Sequence, residues 1–239
     1  MRNNLDRTKK LSLKENRYEE PKETQKKMIE LVMKSGILKD GCTVCDFGCA
    51  AGELLYNLSR KFPNAKYFGY EIISEVVEKA RKNVPGVEFE TADMVEKSLL
   101  PEDSLDIAIM TGVHQYYDNF EPCFSNLLYW TRPGGIIYVF GAFNPYPMDV
   151  LVKSRFTNDP KTHHEPGWNM FSVDSVSKYL DSKLGEGKHS FIPYELPLDI
   201  AIKPEDPRRT WTFKDSNNKR HLTNGMSLII NAYFLEIHP

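Results

Sequence analysis

Short apolar runs alternate with helical patterns along the first two thirds of the chain, and this alternation constrains the fold more than any other feature. Leu105–Met110 and Ile136–Phe140 are continuous apolar runs, typical of strands that are buried on both faces. Helical patterns lie between the predicted strands, at residues 52–61, 74–82 and 120–131. Strands joined by single helices form right-handed β-α-β units. Residues 37–141 are therefore predicted to form a doubly wound α/β domain, with a parallel sheet, helices on both faces and a ligand site at the carboxyl ends of the strands.

The pattern changes after Phe140. Residues 142–170 are rich in Asn, Pro, His and aromatic residues and show no clean period. A long irregular segment in a compact domain is usually functional, so we predict a lid or substrate-covering insert after the fifth strand. The apolar run at residues 226–236 predicts a strand near the C-terminus. Residues 1–20, where basic and acidic residues follow each other closely, are predicted as a mobile arm, and residues 21–239 as a single domain.

The charge and the cysteines narrow the class of partner and the compartment. A net charge of −2 gives no electrostatic case for a nucleic acid or an anionic membrane as partner. The chain has no apolar run of 18 residues and no apolar region of a signal peptide at its start, so we expect a cytoplasmic protein. Cys42 and Cys45 have the spacing of a zinc or redox pair, but no second pair completes a zinc site. We therefore predict buried thiols and no metal, and leave the oligomeric state open.

The turn after the first predicted strand has the spacing Asp46-x-Gly48-x-Ala50-x-Gly52. Small residues there let a ligand approach the backbone and let the chain adopt positive φ. A nicotinamide dinucleotide also uses a glycine-rich turn, but its fingerprint needs a third glycine where this chain has Glu53. A carboxylate is unfavourable beside a pyrophosphate. Asp46 suits instead a ligand with positive charge, such as an ammonium or a sulfonium.

Acidic residues also follow the next two predicted strands. Glu71 can accept hydrogen bonds from both hydroxyl groups of a ribose. Asp93 can accept from the exocyclic amine of adenine, while Met94 packs against the ring. Because the carboxyl ends of parallel strands meet at one edge of the sheet, Asp46, Glu71 and Asp93 together predict a nucleoside site.

These motifs, in this order, resemble the class I S-adenosylmethionine-dependent methyltransferases. The resemblance covers roughly residues 24–141 and rests on Val44–Gly52, Glu71, Asp93, LDIAIMTGVHQYYD, and RPGG before IIYVF. It implies S-adenosylmethionine as cofactor and S-adenosylhomocysteine as product. It also implies a mostly parallel seven-stranded sheet with an antiparallel C-terminal strand, which MSLIINAYFLEIHP fits. The implied cofactor-binding residues are Asp46, Gly48, Cys49, Ala50, Gly52, Glu71, Ile72, Asp93, Met94 and Thr111. Ala50 stands where the family usually has glycine, and it requires a negative φ or a slightly displaced cofactor.

Methyl transfer from a sulfonium is an in-line displacement that needs alignment and, for an oxygen acceptor, a base. The resemblance places acceptor contacts after the fourth strand, where His114 is a candidate base because an imidazole titrates near neutral pH. Candidate acceptor-binding residues are Tyr116 and Tyr117 after that strand, and His163, His164 and Trp168 in the insert. The predicted activity is methyl transfer from S-adenosylmethionine to an oxygen or nitrogen atom of a small-molecule acceptor.

Two other functions remain open from the sequence. A nucleotide-cofactor oxidoreductase of the NAD type would use a similar fold, although Asp46 and the missing third glycine argue against it. A non-catalytic protein that binds S-adenosylmethionine as a regulator or partner subunit would keep the same cofactor residues, since the sequence does not establish His114 as catalytic.

Overall fold

Strands and helices alternate along the chain as the apolar pattern predicts. The computed structural model describes residues 2–158 and 163–239. The helices are α1 (Arg2–Lys14), α2 (Glu23–Lys34), α3 (Glu53–Lys61), α4 (Ser74–Asn83), α5 (Glu121–Trp130) and α6 (Val173–Leu184). The strands are β1 (Thr43–Phe47), β2 (Lys66–Glu71), β3 (Glu88–Thr91), β4 (Leu105–Thr111), β5 (Thr131–Asn144), β6 (Lys153–Ser154), β7 (Glu165–Pro166), β8 (Phe171–Ser172), β9 (His189–Tyr194), β10 (Trp211–Lys214), β11 (Arg220–Thr223) and β12 (Ala232–Ile237). Within these ranges, no helix is long and apolar enough to cross a membrane.

The central sheet has the strand order β3-β2-β1-β4-β5-β12-β9, and the short β8 pairs with β5 beside this path. The first five strands are parallel to one another. β12 lies between β5 and β9 and is antiparallel to both. This order confirms the predicted fold class, a mostly parallel α/β sheet with an antiparallel C-terminal strand.

The order of the strands creates a crevice beside β1. The chain runs from β1 outward to β2 and β3, and then crosses to β4 on the other side of β1. Loops that leave β1 and β4 therefore diverge at the carboxyl ends of these strands, which is where open α/β sheets bind their ligands.

Side chains of each strand alternate between two apolar cores, because successive residues of a strand point to opposite faces of the sheet. On β1, Val44 packs in one core with Leu55 of α3. Cys45 and Phe47 pack in the other core, where the rings of Phe47 and Trp130 stack with centroids 4.7 Å apart. Since both faces are covered, polar groups that can meet a ligand gather at the strand ends.

The N-terminal segment, predicted as an arm outside the domain, forms α1 and packs against the domain. Arg7 donates two hydrogen bonds to Asp206, at 2.9 Å and 2.7 Å. The ammonium of Lys79 donates to the main-chain oxygen of Ser12 at 2.8 Å, near the end of α1 where a cation is favourable. These partners are far away in the sequence, so the local charge pattern gave no sign of them.

The RPGG segment, predicted as a turn before a strand, is part of β5. The pairing of β4 with β5 jumps from Leu105–Thr131 to Ile107–Ile136, so that residues 132–135 bulge from the ladder. Arg132 donates from Nε to Asp106 Oδ1 at 2.6 Å and holds the bulge against β4.

The insert after the fifth strand is fastened to the domain by short strand pairs. Within it, β6 pairs with β7 in antiparallel orientation, and β8 pairs with the end of β5 in parallel orientation. Residues 159–162 of the predicted lid lie outside the described residues.

Candidate functional site

A cavity of about 380 Å³ lies at the carboxyl ends of the parallel strands. Its wall is built from the loops after β1 to β4, from β5, from α1 and from the insert. The lining residues are Leu5, Thr8, Gly48, Ala50, Tyr70, Glu71, Ile72, Ile73, Ala92, Asp93, Met94, Thr111, Gly112, Val113, Gln115, Tyr116, Tyr117, Phe140, Pro166 and Trp168. Ten of the residues singled out from the sequence are among them: Gly48, Ala50, Glu71, Ile72, Asp93, Met94, Thr111, Tyr116, Tyr117 and Trp168.

The turn after β1 brings bare backbone to the cavity. Gly48 has a φ of 75°, and a Cβ atom there would lie 2.2 Å from Cγ2 of Val113. Glycine is therefore required for two reasons: the turn needs a positive φ, and a Cβ would clash with the loop after β4. Ala50 has a φ of 49°, which excludes the negative φ and leaves the other alternative, a slightly displaced cofactor. This left-handed conformation lets the Ala50 N–H donate to Glu71 Oε2 at 3.2 Å.

Cys49 and Gly52, predicted to bind the cofactor, do not line the cavity. Cys49 is buried beneath the turn, and its N–H donates to the oxygen of Tyr70 at 3.0 Å. Gly52 has a φ of 82° at the start of α3, and a Cβ there would lie 2.7 Å from Cζ of Phe89. Both residues shape the turn through packing, because the side chain of Cys49 and the Cβ position of Gly52 face the apolar core.

Glu71 ends β2 and is buried in the cavity wall. Its Oε1 accepts from the N–H of Ile73 at 3.1 Å, and its Oε2 accepts from Ala50. Burial raises the pKa of this carboxyl, while the backbone donors oppose the rise. A carboxylate offers about four acceptor positions, so two remain for the hydroxyl groups of a ligand.

Asp46 lies beneath the turn and is buried, outside the cavity lining. Its Oδ1 has no hydrogen-bond partner among the described residues. Burial raises the pKa of this carboxyl well above its usual range, and the nearby carboxylates of Glu71 and Glu53 add to the rise. Three acidic groups at this position favour a ligand with positive charge over a phosphate.

Asp93, after β3, is joined to the loop after β4. The hydroxyl of Tyr117 donates to Asp93 Oδ1 at 2.5 Å, and the N–H of Val95 donates to the same oxygen at 3.2 Å. Burial, and next the bond to Asp93, raise the pKa of Tyr117. The hydroxyl of Tyr117, which the sequence assigned to the acceptor, therefore contacts Asp93, which the sequence assigned to the nucleoside.

His114, the candidate base, does not line the cavity. It is fully buried, and its ring stacks on Phe143 with centroids 4.8 Å apart. Neither ring nitrogen has a hydrogen-bond partner of standard geometry among the described residues. Burial lowers the pKa of His114 to about 4, so the ring is neutral at physiological pH. Its position beneath the loop leaves no contact with a ligand in the cavity.

Gln115 occupies the position in the cavity that the sequence suggested for His114. Its Oε1 accepts from the N–H of Ala142 at 3.0 Å, and a Cβ on Gly141 would lie 2.8 Å from that oxygen. The carboxamide is thereby held in one orientation at the wall. The sequence carried no signal for this residue, because its partner on β5 is 27 positions away.

Asn169 fastens the insert to the loop after β4. It is fully buried, and its N–H donates to the oxygen of Gln115 at 3.0 Å. Its Nδ2 donates to the oxygen of Tyr117, and its Oδ1 accepts from the N–H of Val152, each at 2.8 Å. The neighbouring Trp168, whose φ is 66°, is thereby held in the cavity wall.

His163 and His164, predicted as acceptor contacts, are exposed and do not line this cavity. His163 borders a separate cleft of about 450 Å³ between α1 and the insert, which charged residues such as Arg7 and Glu165 surround. The four cysteines are free and buried. Within residues 2–158 and 163–239, no group of three or more His, Cys, Asp or Glu side chains has a geometry that would hold a metal ion.

Comparison with known proteins identifies the core of the chain. A family model described as a methyltransferase domain matches residues 38–166. The chain is 29% identical over 102 residues to trans-aconitate 2-methyltransferase of Azoarcus sp., covering 43% of this chain and 40% of that protein. It is 29% identical over 108 residues to malonyl-[acyl-carrier protein] O-methyltransferase of Halalkalibacterium halodurans, covering 43% of this chain and 39% of that protein. It is 25% identical over 119 residues to (S)-coclaurine N-methyltransferase of Thalictrum flavum, covering 47% of this chain and 32% of that protein. The matches thus span two fifths or less of the length of these relatives.

Solved structures share the fold over nearly the whole chain. The DhpI protein in complex with SAM and HEP has a TM-score of 0.59 at 14% identity and covers 99% of this chain and 96% of that one. A SAM-dependent methyltransferase from Aquifex aeolicus has a TM-score of 0.52 at 16% identity, with 97% of each chain covered. At such identities the likeness concerns the fold alone.

Proposed function

The chain belongs to the methyltransferase-domain family of class I S-adenosylmethionine-dependent enzymes, and from this premise we propose that it transfers a methyl group from S-adenosylmethionine to an oxygen or nitrogen atom of a small-molecule acceptor. The observation that carries the proposal is one continuous cavity with two ends. The turn after β1, with Glu71 and Asp93, supplies a nucleoside end, and Tyr116 and Trp168 supply a second, largely apolar end.

The residues at the first end fit S-adenosylmethionine. Gly48 lets the turn pack directly against Val113, where a Cβ would clash, and Oδ1 of Asp46, which has no hydrogen-bond partner among the described residues, lies beneath the same turn. We propose that this turn holds the methionine part of the cofactor, and that Glu71 accepts from the ribose hydroxyls. Asp93 then accepts from the adenine amine, with the ring packed against Met94. When bound, the cofactor supplies an activated methyl group on a sulfonium.

The proposed acceptor end is lined by two parts of the chain that are far apart in sequence. Trp168 and Pro166 of the insert form one side, and Leu5 and Thr8 of α1 form another. A cavity of about 380 Å³ with mostly apolar lining supports a small molecule rather than a polymer as acceptor. The names of two relatives specify O-methyl and N-methyl transfer, so both atoms stay within the proposal. The burial of His114 does not support the base role suggested for it, and the proposal gives it no proton-transfer step.

We further propose that residues 21–239 act as one domain, that the insert covers the acceptor, and that the protein works in the cytoplasm. The free, buried state of all four cysteines is in keeping with a reducing compartment. Oligomeric state is left out of the proposal.

The proposed function is tested by ligand-dependent stability. S-adenosylhomocysteine at 100-fold excess over its Kd is expected to raise the free energy of unfolding by about 2.7 kcal/mol, because it binds the folded chain alone. Differential scanning fluorimetry with S-adenosylhomocysteine and with NAD measures this. Stabilisation by NAD and not by S-adenosylhomocysteine would favour the oxidoreductase alternative. Binding without methyl transfer to any acceptor in an extract of the source cells would favour the non-catalytic alternative.

A further inference from the structure

The polar side chains at the acceptor end are all uncharged. Glu71 and Asp93 are proposed to bind the nucleoside. The hydroxyl of Tyr117 donates its hydrogen bond to Asp93. The other polar side chains that line the cavity within the described ranges are Thr8, Thr111, Gln115 and Tyr116. Each of them carries an O–H or N–H group that can donate a hydrogen bond.

Gln115 is the most firmly oriented of these donors. Its Oε1 is occupied by the N–H of Ala142, and its main-chain oxygen is occupied by the N–H of Asn169. Its Nε2 has no protein partner among the described residues, and the side chain lines the cavity while being 93% shielded from solvent (7% exposed). An oriented amide N–H pair in a mostly buried wall favours a ligand oxygen that is a strong hydrogen-bond acceptor.

Three classes of acceptor place different demands on this wall. An amine is protonated at neutral pH, so it needs an anionic partner and a group that removes its proton. An alcohol is neutral and needs a base in hydrogen-bond reach. Neither demand is met by Thr8, Gln115 and Tyr116, the polar residues that remain once Thr111 is counted with the cofactor residues, and His114 lies outside the cavity. A carboxylate is already ionised at neutral pH and needs only hydrogen-bond donors.

We propose that the acceptor is a carboxylic acid, that it binds as its carboxylate with one oxygen accepting from Gln115 Nε2, and that the product is a methyl ester. The inference rests on the proposed function and narrows its acceptor. One carboxylate oxygen attacks the methyl carbon and forms the new C–O bond. The C–S bond breaks, its electron pair stays on sulfur, and no proton is transferred.

The surroundings of the reacting atoms suit this reaction. A carboxylate and a sulfonium become an ester and a thioether, so one negative and one positive charge disappear together. A reaction that cancels charge is favoured where water is excluded, because the ion pair loses more from poor solvation than the less polar transition state does. The apolar side chains of Val113, Phe140 and Trp168 provide such a wall.

The first experiment reads the bond that is formed. The full chain is incubated with S-adenosylmethionine labelled with ¹⁴C in the methyl group and a small-molecule extract of the source cells, and the products are treated with alkali. Methyl esters release volatile labelled methanol, whereas methyl ethers and methylamines are stable. Label that becomes volatile supports the inference, and label that stays in alkali-stable products overturns it. A chain that does not bind S-adenosylhomocysteine contradicts the proposed function instead.

The second experiment tests Gln115 with a matched control. Gln115→Glu keeps an oxygen that can accept from Ala142 and replaces the Nε2 donor with an anionic oxygen. We expect the KM for the purified acceptor to rise at least tenfold, as for a lost hydrogen bond to a charged group of about 1.5–3 kcal/mol. Affinity for S-adenosylhomocysteine should change less than about twofold, because the nucleoside end is untouched.

Gln25→Glu is the control, since Gln25 Oε1 also accepts from a backbone N–H, that of Lys22, on the surface helix α2. It should leave the KM as in the wild type. An unchanged KM in Gln115→Glu would overturn the inference. A second readout is the pH dependence of kcat, which is expected to be flat from about pH 6.5 to 8.5, because a carboxylate needs no base.

Discussion

Gly48 and Ala50 show at the scale of single residues how the turn after β1 lines the cavity. Both have positive φ, 75° and 49°. In alanine this conformation costs roughly 1–2 kcal/mol, because Cβ approaches the following carbonyl oxygen. The bond from the Ala50 N–H to Glu71 helps to hold it. The conformation of the turn therefore lowers the stability of the fold, but it presents the backbone of the turn to the cavity.

Gly48→Ala is expected to abolish binding of S-adenosylhomocysteine. The added Cβ would lie 2.2 Å from Val113 Cγ2, so the turn or the loop after β4 must move. Gly86→Ala is the control, since Gly86 has a similar φ of 86° and open space around the Cβ position. Isothermal titration calorimetry compares the two variants. Equal affinity in both would show that the turn does not hold the ligand.

His114 provides a prediction about acid stability. The unfolded imidazole takes up a proton below about pH 6.5, whereas burial lowers the folded pKa to about 4. Protonation therefore favours the unfolded chain, and the stability present above pH 6.5 is lost as the pH falls towards 4. From this difference we expect the wild type to lose about 3 kcal/mol more than His114→Leu over that window.

Urea denaturation at several pH values measures this difference, with His164→Leu at an exposed position as the control. If His114→Leu lost as much stability on acidification as the control, His114 would not be a buried neutral group. Retained turnover in a folded His114→Leu would also agree with a residue that touches no reacting atom.

At the scale of elements, the insert and the loop after β4 behave as one unit. Asn169 connects them with two hydrogen bonds, to the main-chain oxygens of Gln115 and Tyr117, and a third bond from Val152 holds it within the insert. Tyr117 in turn bonds to Asp93 on the loop after β3. The nucleoside end and the acceptor end of the cavity are thus linked by contiguous hydrogen bonds.

Asn169→Ala is expected to raise the KM for the acceptor several-fold and to lower the free energy of unfolding by about 2–3 kcal/mol. The physical reason is the loss of buried hydrogen bonds that leaves main-chain groups unpaired. Asn57→Ala is the control, because the Asn57 side chain also makes two bonds to main-chain oxygens, away from the acceptor end. Steady-state kinetics and urea denaturation separate the two effects. A stability loss without any change in KM would limit Asn169 to a structural role.

At the scale of the whole molecule, the cavity is completed by parts of the chain that are far apart. α1 contributes Leu5 and Thr8 to the wall and is fastened by the Arg7–Asp206 pair. The segment between β9 and β12, where Asp206 lies, thereby holds the N-terminal helix over the cavity. Access to the site therefore depends on whether α1 stays in place.

Arg7→Ala is expected to speed the cleavage of the chain within α1 by trypsin, since a partly buried bidentate pair is lost. Saturating S-adenosylhomocysteine should slow the cleavage in the wild type, because α1 closes the cavity that the ligand fills. Lys9→Ala is the control, as Lys9 pairs with Glu75 in an exposed position. Limited proteolysis followed by mass spectrometry measures the rates. Equal rates in the two variants would contradict the fastening role of Arg7.

Local pattern was enough to predict the fold and to predict that the residues proposed for the nucleoside lie together at one edge of the sheet. Apolar runs and helical periods mark the strands and helices, and parallel strands end at one edge, which brings the turn at Gly48 to Glu71 and Asp93. These features depend on a residue's own neighbours in sequence, so they can be recognised without the structure.

Tertiary structure alone decided the acceptor end. Of two adjacent residues after β4, His114 turned into the apolar core and Gln115 into the cavity. That choice depends on Ala142 and Asn169, which are remote in sequence and meet the loop only when β5 and the insert pack against it. The sequence by itself determined the chain's fold and identified the residues proposed to bind the cofactor, whereas long-range packing determined which side chains line the rest of the cavity.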